Sequence, residues 1–428
     1  MKPSASYTLL GFLTMVNILN FIDRQLLTSF SNFIVPDLGL TNTQFGLLSG
    51  FAFIIFYSLM GLIMGAIADR VHRPRFIALA LVLWSLLTAV SGMAKNFWML
   101  FIPRIFIGIG ESVLTPTALS FLSDRFSKNN MGFVAGFYTL AVPLGVAASL
   151  FIAGYLGPTL GWRNCFYGLG IIGVGFALLM LLFKETPTRA LDIADQLTRD
   201  VINKKVFQEA ITVLKSSLKA YPSLRLTILG GVAVHFILGA MVFEQLWLVQ
   251  DKGFERAEIA KIAAYMGLTG GVMGCIFGGI AGDYYTKVTG KGRQTFLFWC
   301  LLLFSPINMI YRLTDDSGTI FFTCMFLGFF QWGCIYGPVY SSVQELVPKN
   351  TRAIIVAFYL LVINIVGLGF GITASGIMID YLMSQGYEQP YSLTLFIFQL
   401  LSALSLPAFY FAGKRYIKDR EQLIQESG

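Results

Sequence analysis

The sequence predicts an all-α polytopic membrane protein with twelve transmembrane helices in two pseudo-symmetric six-helix bundles. Three observations carry this. The 428 residues are 56% hydrophobic and 13% charged, and a mean hydropathy of +0.69 lies far outside the soluble range. The apolar residues gather into runs of about 20, the length that crosses a hydrocarbon core. Finally, the chain repeats itself: Asp37-x-Gly39 recurs as Asp251-x-Gly253 and Gly65-x-x-x-Asp69 as Gly279-x-x-x-Asp283, both 214 residues on. Lys128-Asn129 and Phe137-Tyr138 recur as Lys349-Asn350 and Phe358-Tyr359, 221 residues on. Parallel repeats of this kind are two copies of one unit, and in transporters they place the substrate between them near the midplane.

The runs lie near 7–33, 43–68, 75–94, 97–122, 131–156 and 163–184 in the first half. In the second they lie near 225–249, 257–282, 294–313, 319–345, 352–381 and 390–412. The domains expected are therefore a bundle over 1–184, a linker over 185–224, a bundle over 225–412 and a tail over 413–428. In the linker, Val201, Val206, Phe207, Ala210, Ile211 and Leu214 recur at near-helical spacing beside lysines and arginines. That pattern predicts an amphipathic helix on the membrane face, serving as a tether.

Cations set the orientation. With the N-terminus inside, the inner loops hold Lys2, Arg70, Arg73, Arg75, Arg125, Lys128, Lys287, Lys291, Arg293, Lys349 and Arg352. The outer loops hold few, so both termini are expected in the cytoplasm. This topology also accounts for the net charge of +8, and no nucleic-acid partner is expected. The N-terminus lacks the pattern of a cleaved signal peptide, so the first helix is expected to stay as a signal anchor. No Asn-x-Ser/Thr sequon occurs, which fits a bacterial cell membrane.

Helix 1 carries Asp23 and Arg24 in mid-run, where each charge costs roughly 2.5–3.5 kcal/mol and marks a functional hypothesis. Its wheel puts Asn17, Asn20, Arg24 and Thr28 on one stripe, with Asp23 about 100° to the side. Arg24 is thus aimed at a central cavity and Asp23 at a neighbouring helix. Helix 4 places Arg104, Gly108, Glu111 and Thr115 on one face. At about 1.5 Å per residue, Asp23 and Arg104 reach similar depths in antiparallel helices, which predicts an Asp23–Arg104 pair with Glu111 deeper. Such a carboxylate can exchange its cation for a proton and free the arginine for an anionic substrate; a static pair that only fixes packing is the other reading.

The loop Gly65-Ala-Ile-Ala-Asp69-Arg70-Val-His72-Arg73-Pro-Arg75 resembles the signature loop of the major facilitator superfamily, which implies the major facilitator fold. Asp69 is expected to meet the start of helix 11 near Thr351 and Arg352 while the arginines stay wet, a gate that closes in one state. Asp69, Arg70, Arg73 and, in the second half, Asp283 are the gating candidates. His72 replaces the usual glycine and puts the turn geometry in question.

Further motifs narrow the resemblance. Asn20-Phe-Ile-Asp23-Arg24-Gln25, Asp37-Leu-Gly-Leu-Thr-Asn-Thr-Gln44-Phe-Gly46, Arg104…Gly108-x-Gly110-Glu111, Gly161-Trp162-Arg163, Gly337-Pro338 and Asn364-Ile-Val-Gly367 together look like the bacterial type of the Spinster branch. The resemblance runs from about residue 15 to 410. It implies proton-linked movement of amphipathic lipids such as sphingosine phosphate or lysophospholipids, with the acidic residue of helix 1, here Asp23, as proton site. Glu111 is expected to couple that site to the gate. Arg24 and Arg104 are expected to hold the headgroup, with Asn20, Thr115, Gln331 and Asn364 as further lining. His235 and Glu244 depart from the pattern; Glu244 either titrates too or, as favoured, sits at the outer interface.

Other chemistry lacks support. Gly168-Leu-Gly170-Ile-Ile-Gly173 matches a dinucleotide fingerprint but lies inside an apolar helix with no strand before it. The glycines of helix 8 form a small-residue stripe for close packing. Two isolated histidines make no zinc site, the five cysteines read as small core residues, and no P-loop or nucleophile elbow occurs. The reading is a monomeric non-enzyme that needs no cofactor or metal and draws on a proton gradient, with membrane lipids around it. The alternatives are an organic-anion/proton symporter of small carboxylates and a non-transporting sensor.

Overall fold

The computed structural model describes residues 3–68, 71–127, 130–185, 204–314, 318–347 and 352–427, and every element among them is helical. Among the described residues, eleven stretches are long and apolar enough to cross a membrane. One of these, Met131–Met180, holds two spans, because Gly161 (φ 75°, ψ 158°) leaves helical geometry inside it. In order the spans are Ala5–Ser29, Asn42–Gly65, Arg73–Ser91, Phe97–Ser123, 131–160, 162–180, Pro222–Gln250, Arg256–Thr289, Arg293–Leu313, Thr319–Glu345, Ile354–Ser384 and Pro390–Leu423. The twelve predicted runs thus each coincide with a helix.

Several spans are broken, and proline explains three of the breaks. Pro116, Pro143 and Pro407 lack the N–H that would bond to residues 112, 139 and 403. The helices end at Glu111, Thr139 and Ser402 and restart at Leu114, Ala141 and Ser405. Two spans also widen into π-helix, at Ile152–Leu156 and Ile363–Gly369. Wide turns of this kind free backbone groups and recur at functional sites.

The chain packs as two compact units, Met1–Ile202 with Phe254–Ala264, and Asn203–Gly253 with Tyr265–Gly428. In the first, glycines let backbones touch: a Cβ on Gly108 would meet the Phe53 carbonyl at 2.8 Å, and one on Gly145 the Ile18 carbonyl at 2.9 Å. In the second, Leu224, Leu297, Val343, Ile355 and Phe409 form a buried core. The glycine stripe of the eighth span lies against backbone of Phe330 and Cys334 in the tenth, as its small residues predict.

Both units tie the loop after their first span to their last span. Asp37 accepts a hydrogen bond from Trp162 Nε1 at 3.0 Å and an ion pair from Arg163. Burial opposes ionisation there, but the bonds from Arg163 and Trp162 prevail and hold the carboxyl below its ordinary range. Its repeat partner Asp251 instead accepts the Ser392 N–H at 2.6 Å, and there desolvation prevails and raises the carboxyl.

Of the linker, 186–203 lie outside the described residues. The helix that follows, Lys204–Ala220, turns Leu214 and Leu218 onto the core of the second unit. The tail is a helical continuation to Ser427, anchored where Asp419 accepts bonds from Ser223 N and Oγ at 2.7 and 2.6 Å.

Candidate functional site

The charged residues of the first and fourth spans meet inside the first unit. Asp23, Arg104 and Glu111 are 4%, 7% and 1% exposed, so their charges have no water to lean on. Only Arg24 keeps an opening, with 19% of its side chain accessible. Its Nε and Nη2 donate to Glu111 Oε2 at 3.3 and 3.2 Å, and Nη2 reaches Asn20 Oδ1 at 3.4 Å. The guanidinium also lies 4.3 to 5.0 Å from the ring centroids of Tyr57, Phe21 and Phe53, within range of cation–π attraction.

This geometry corrects the expected Asp23–Arg104 pair. Arg104 Nη2 donates instead to the Arg24 carbonyl at 2.7 Å, and its guanidinium stacks over Phe53 at 4.7 Å. Asp23 takes a hydrogen bond from Thr88 Oγ1 of the third span, 2.7 Å from each carboxylate oxygen. Asp23 does face a neighbouring helix, as its place on the wheel predicts, but that helix is the third span and not the fourth that matching depth points to. Asp23 and Arg104 do share the wall of a cavity of ≈ 10 Å³ with Thr88, Ser91 and Ile107, on the order of one water-sized sphere. Arg104 Nε has no hydrogen-bond partner among the described residues. Glu111, expected deeper than the Asp23–Arg104 pair, is the counter-ion of Arg24.

The backbone positions these groups. Glu111 ends the first part of the fourth span, one residue before the break that Pro116 enforces, and Ser112 Oγ bonds the Ile109 carbonyl at 2.7 Å. Thr115 is half-buried in the next turn. Gly108 and Gly110 admit Phe53 and Trp84 close to the fourth span, and Trp84 is one turn before Thr88, whose hydroxyl also lies 3.0 Å from its carbonyl. Thr88, Tyr57 and Phe53 were missed from sequence; only their place on apolar helices facing a charged one could have flagged them.

The other candidates fall elsewhere. Gln331 is buried and takes a hydrogen bond from Asn308 Nδ2, a bond between the ninth and tenth spans. Asn364 is half-buried in the π-helical stretch of the eleventh span. Asp69 and Arg70, like Thr351, lie outside the described residues.

Arg73 is not wet, as expected, but 2% exposed. Two carboxylates account for this: Asp124 at 2.7 Å and Glu185 at 2.8 Å, the latter also accepting the Arg73 N–H at 2.6 Å. His72 caps the third span by accepting the Arg75 N–H at 3.4 Å, with an ordinary φ of −67°, so a histidine fits where glycine is usual. The second unit repeats the clamp. Arg293 pairs with Asp283 at 2.6 Å and with Glu345, and Glu345 stands 221 residues after Asp124, the repeat interval. Glu244 is buried near the end of the seventh span, 3.7 Å from Arg312 at the end of the ninth, whose guanidinium stacks on Trp247 and Tyr311. His235 Nδ1 bonds the Gly231 carbonyl at 2.7 Å.

Comparison with known proteins agrees with this architecture. The family model of the Major Facilitator Superfamily matches residues 13–372. An MFS-type efflux pump of Mycolicibacterium smegmatis is 26% identical over 97% of this chain and 95% of its own. The hexuronate transporter of Bacillus subtilis is 26% identical over 86% and 87%, and the probable sphingolipid transporter spinster homolog 2 of Arabidopsis thaliana is 24% identical over 96% and 89%. Among solved structures, an inward-facing, unoccupied bacterial homolog of the human lysosomal transporter Spinster superposes with a TM-score of 0.82 at 22% identity, over 98% and 99%. Twelve spans in two repeated halves, buried ion pairs between spans and a family match across most of the length converge: the chain belongs to the major facilitator superfamily and is a multi-pass membrane transporter, not an enzyme.

Proposed function

We propose that the chain is a proton-coupled secondary transporter of the Spinster type. It moves amphipathic, anionic or zwitterionic lipid-like substrates, of the sphingoid phosphate or lysophospholipid kind, by alternating access. It acts as a monomer in the cell membrane, the inner membrane if bacterial, with both termini cytoplasmic. The observation that carries this reading is Arg24, an intramembrane guanidinium that is partly open, held by Glu111 and collared by Tyr57, Phe21 and Phe53. Cation plus aromatic rim suits a molecule with a phosphate at one end and an apolar body at the other. Similarity to a probable sphingolipid transporter supports the lipid class.

Asp23 is the proton carrier. Its hydrogen-bond partner is a neutral hydroxyl, so it can gain a proton without abandoning a salt bridge, whereas Glu111 would have to release Arg24. A proton from water on the Asp23 carboxylate removes the negative charge facing Arg104 across the small cavity. Arg104, with Nε unpartnered, is then free to share an anionic headgroup with Arg24.

A second reading has its own support: the hexuronate transporter of Bacillus subtilis is 26% identical over 86% of this chain, and the same arginines suit a small carboxylate. Flux assays in proteoliposomes with an imposed pH gradient separate the two. Lysophospholipid movement that collapses without the gradient, with no uptake of hexuronate, supports the lipid reading; gradient-driven hexuronate uptake alone overturns it.

A further inference from the structure

A groove runs along the second unit between the seventh and twelfth spans, lined only by apolar side chains that include Leu229, Val232, Phe236, Leu401, Leu404 and Phe411. It encloses about 510 Å³, within the roughly 300–1,000 Å³ of small-molecule sites. Leu229, Leu404 and Phe411 are 60%, 63% and 52% exposed. The break at Ala403, forced by Pro407, opens the groove at mid-length, while Gly230 against the Phe409 ring closes the helices together behind it.

Helical spacing then brings charge to one end. On the seventh span Arg225, Leu229, Val232 and Phe236 follow one stripe, and on the twelfth Leu401, Leu404, Ala408, Phe411, Arg415 and Lys418 follow another. The two helices are antiparallel there, since the Ser223 N–H and hydroxyl bond Asp419 at 2.7 and 2.6 Å. Arg225, two residues after Ser223, and Arg415, one turn before Asp419, therefore cap the same end, and both are exposed, as is Lys418. Asp419 is buried and engaged with Ser223, so it does not cancel them at the surface.

We propose that this groove is a binding site for an anionic membrane phospholipid, its acyl chain lying along Leu229, Phe236, Leu404 and Phe411 and its phosphate held by Arg225, Arg415 and Lys418. In a bilayer any apolar groove of this size is filled by lipid tails. Three cations at one end make the site selective, as basic pockets between spans are for anionic headgroups. The lipid is a resident of the fold, on a face of the second unit that has no part in the arginine site of the first.

The test is lipid retention. Wild-type protein is purified from nanodiscs of equal phosphatidylglycerol and phosphatidylcholine, and the bound lipid is read by native mass spectrometry. Phosphatidylglycerol is expected in clear excess on the protein. The triple variant R225Q/R415Q/K418Q should lose that preference by about tenfold or more, and Leu404→Trp, which fills the groove, should lose bound lipid of both kinds. Asp23→Asn should retain phosphatidylglycerol like the wild type, which separates this site from the transport reading. Equal retention of both lipids by the wild type, or an unchanged preference in the triple variant, overturns the proposal.

Discussion

Arg24 Nη2 lies 3.2 Å from Glu111 Oε2, while its neighbour Asp23 turns to Thr88. The adjacent aspartate and arginine of the first span therefore do not neutralise each other; each is answered by a different helix. The first ion pair holds the first and fourth spans together, and the second contact leaves a carboxylate with a neutral partner.

Removing one member of the ion pair should hurt more than removing both. Glu111→Gln leaves the half-buried Arg24 guanidinium without its carboxylate, a loss bounded by the about 3–5 kcal/mol of a fully buried pair. The double variant Arg24→Gln/Glu111→Gln should recover a large part of it. Thermal unfolding in detergent, run as a double-mutant cycle, reads the coupling, and additive losses would show that the pair contributes little.

Close helix approach makes a contrasting pair of glycines. A Cβ at Gly145 would press on Phe21 and on the Ile18 carbonyl, whereas at Gly11 nothing lies within 4 Å. Gly145→Ala should lower stability by about 1–3 kcal/mol through overpacking. Gly11→Ala should be neutral or stabilising by up to about 1 kcal/mol, as helix propensity predicts. Melting temperatures of the two variants check both signs.

The break after Glu111 should be removable. Pro116→Ala supplies the missing N–H to the Ser112 carbonyl, so hydrogen exchange around 112–117 should slow. If the break lets the Glu111 turn move during the cycle, transport should fall in the same variant. Unchanged exchange would show that another contact holds the helix open.

Asp37 gives a pH signature outside the spans. Burial works against its ionisation, but the hydrogen bonds and charge of Arg163 and Trp162 depress its folded-state pKa below its unfolded value, near 3.9. Its contribution is then fully present above that value and is lost as pH falls through the lower folded one. The pair is about 40% exposed (38% and 42%), so screening limits it to a few tenths of a kcal/mol. Asp37→Asn should be slightly less stable than wild type between pH 5 and pH 8, and the two melting curves should converge only below about pH 4.

Much of the fold was legible because bilayer thickness sets helix length and the repeat sets symmetry. The site was legible in its charges and not in its pairings. Helical phase fixed the azimuth of Asp23 and Arg24, but depth along a helix is a weak guide for side chains as long as arginine. Arg104 could satisfy itself on the Arg24 carbonyl, which no count of charges reveals. Thr88 gave no signal, being one hydroxyl on an apolar helix, and the carboxylates of Asp124 and Glu185 that bury Arg73 lie too far along the chain to be matched by spacing. The break beside Glu111 follows from Pro116 and Glu244 is paired with Arg312 at the end of the ninth span, two relationships that were missed from sequence.

The central claim is that Asp23 carries the coupled proton. It is tested by reconstituting wild type, Asp23→Asn and Thr88→Val in proteoliposomes holding a pH-sensitive dye, and recording proton movement on addition of lysophospholipid. The account predicts substrate-dependent proton flux in the wild type, none in Asp23→Asn with substrate exchange retained, and a shifted pH profile in Thr88→Val. Proton flux undiminished in Asp23→Asn would contradict it.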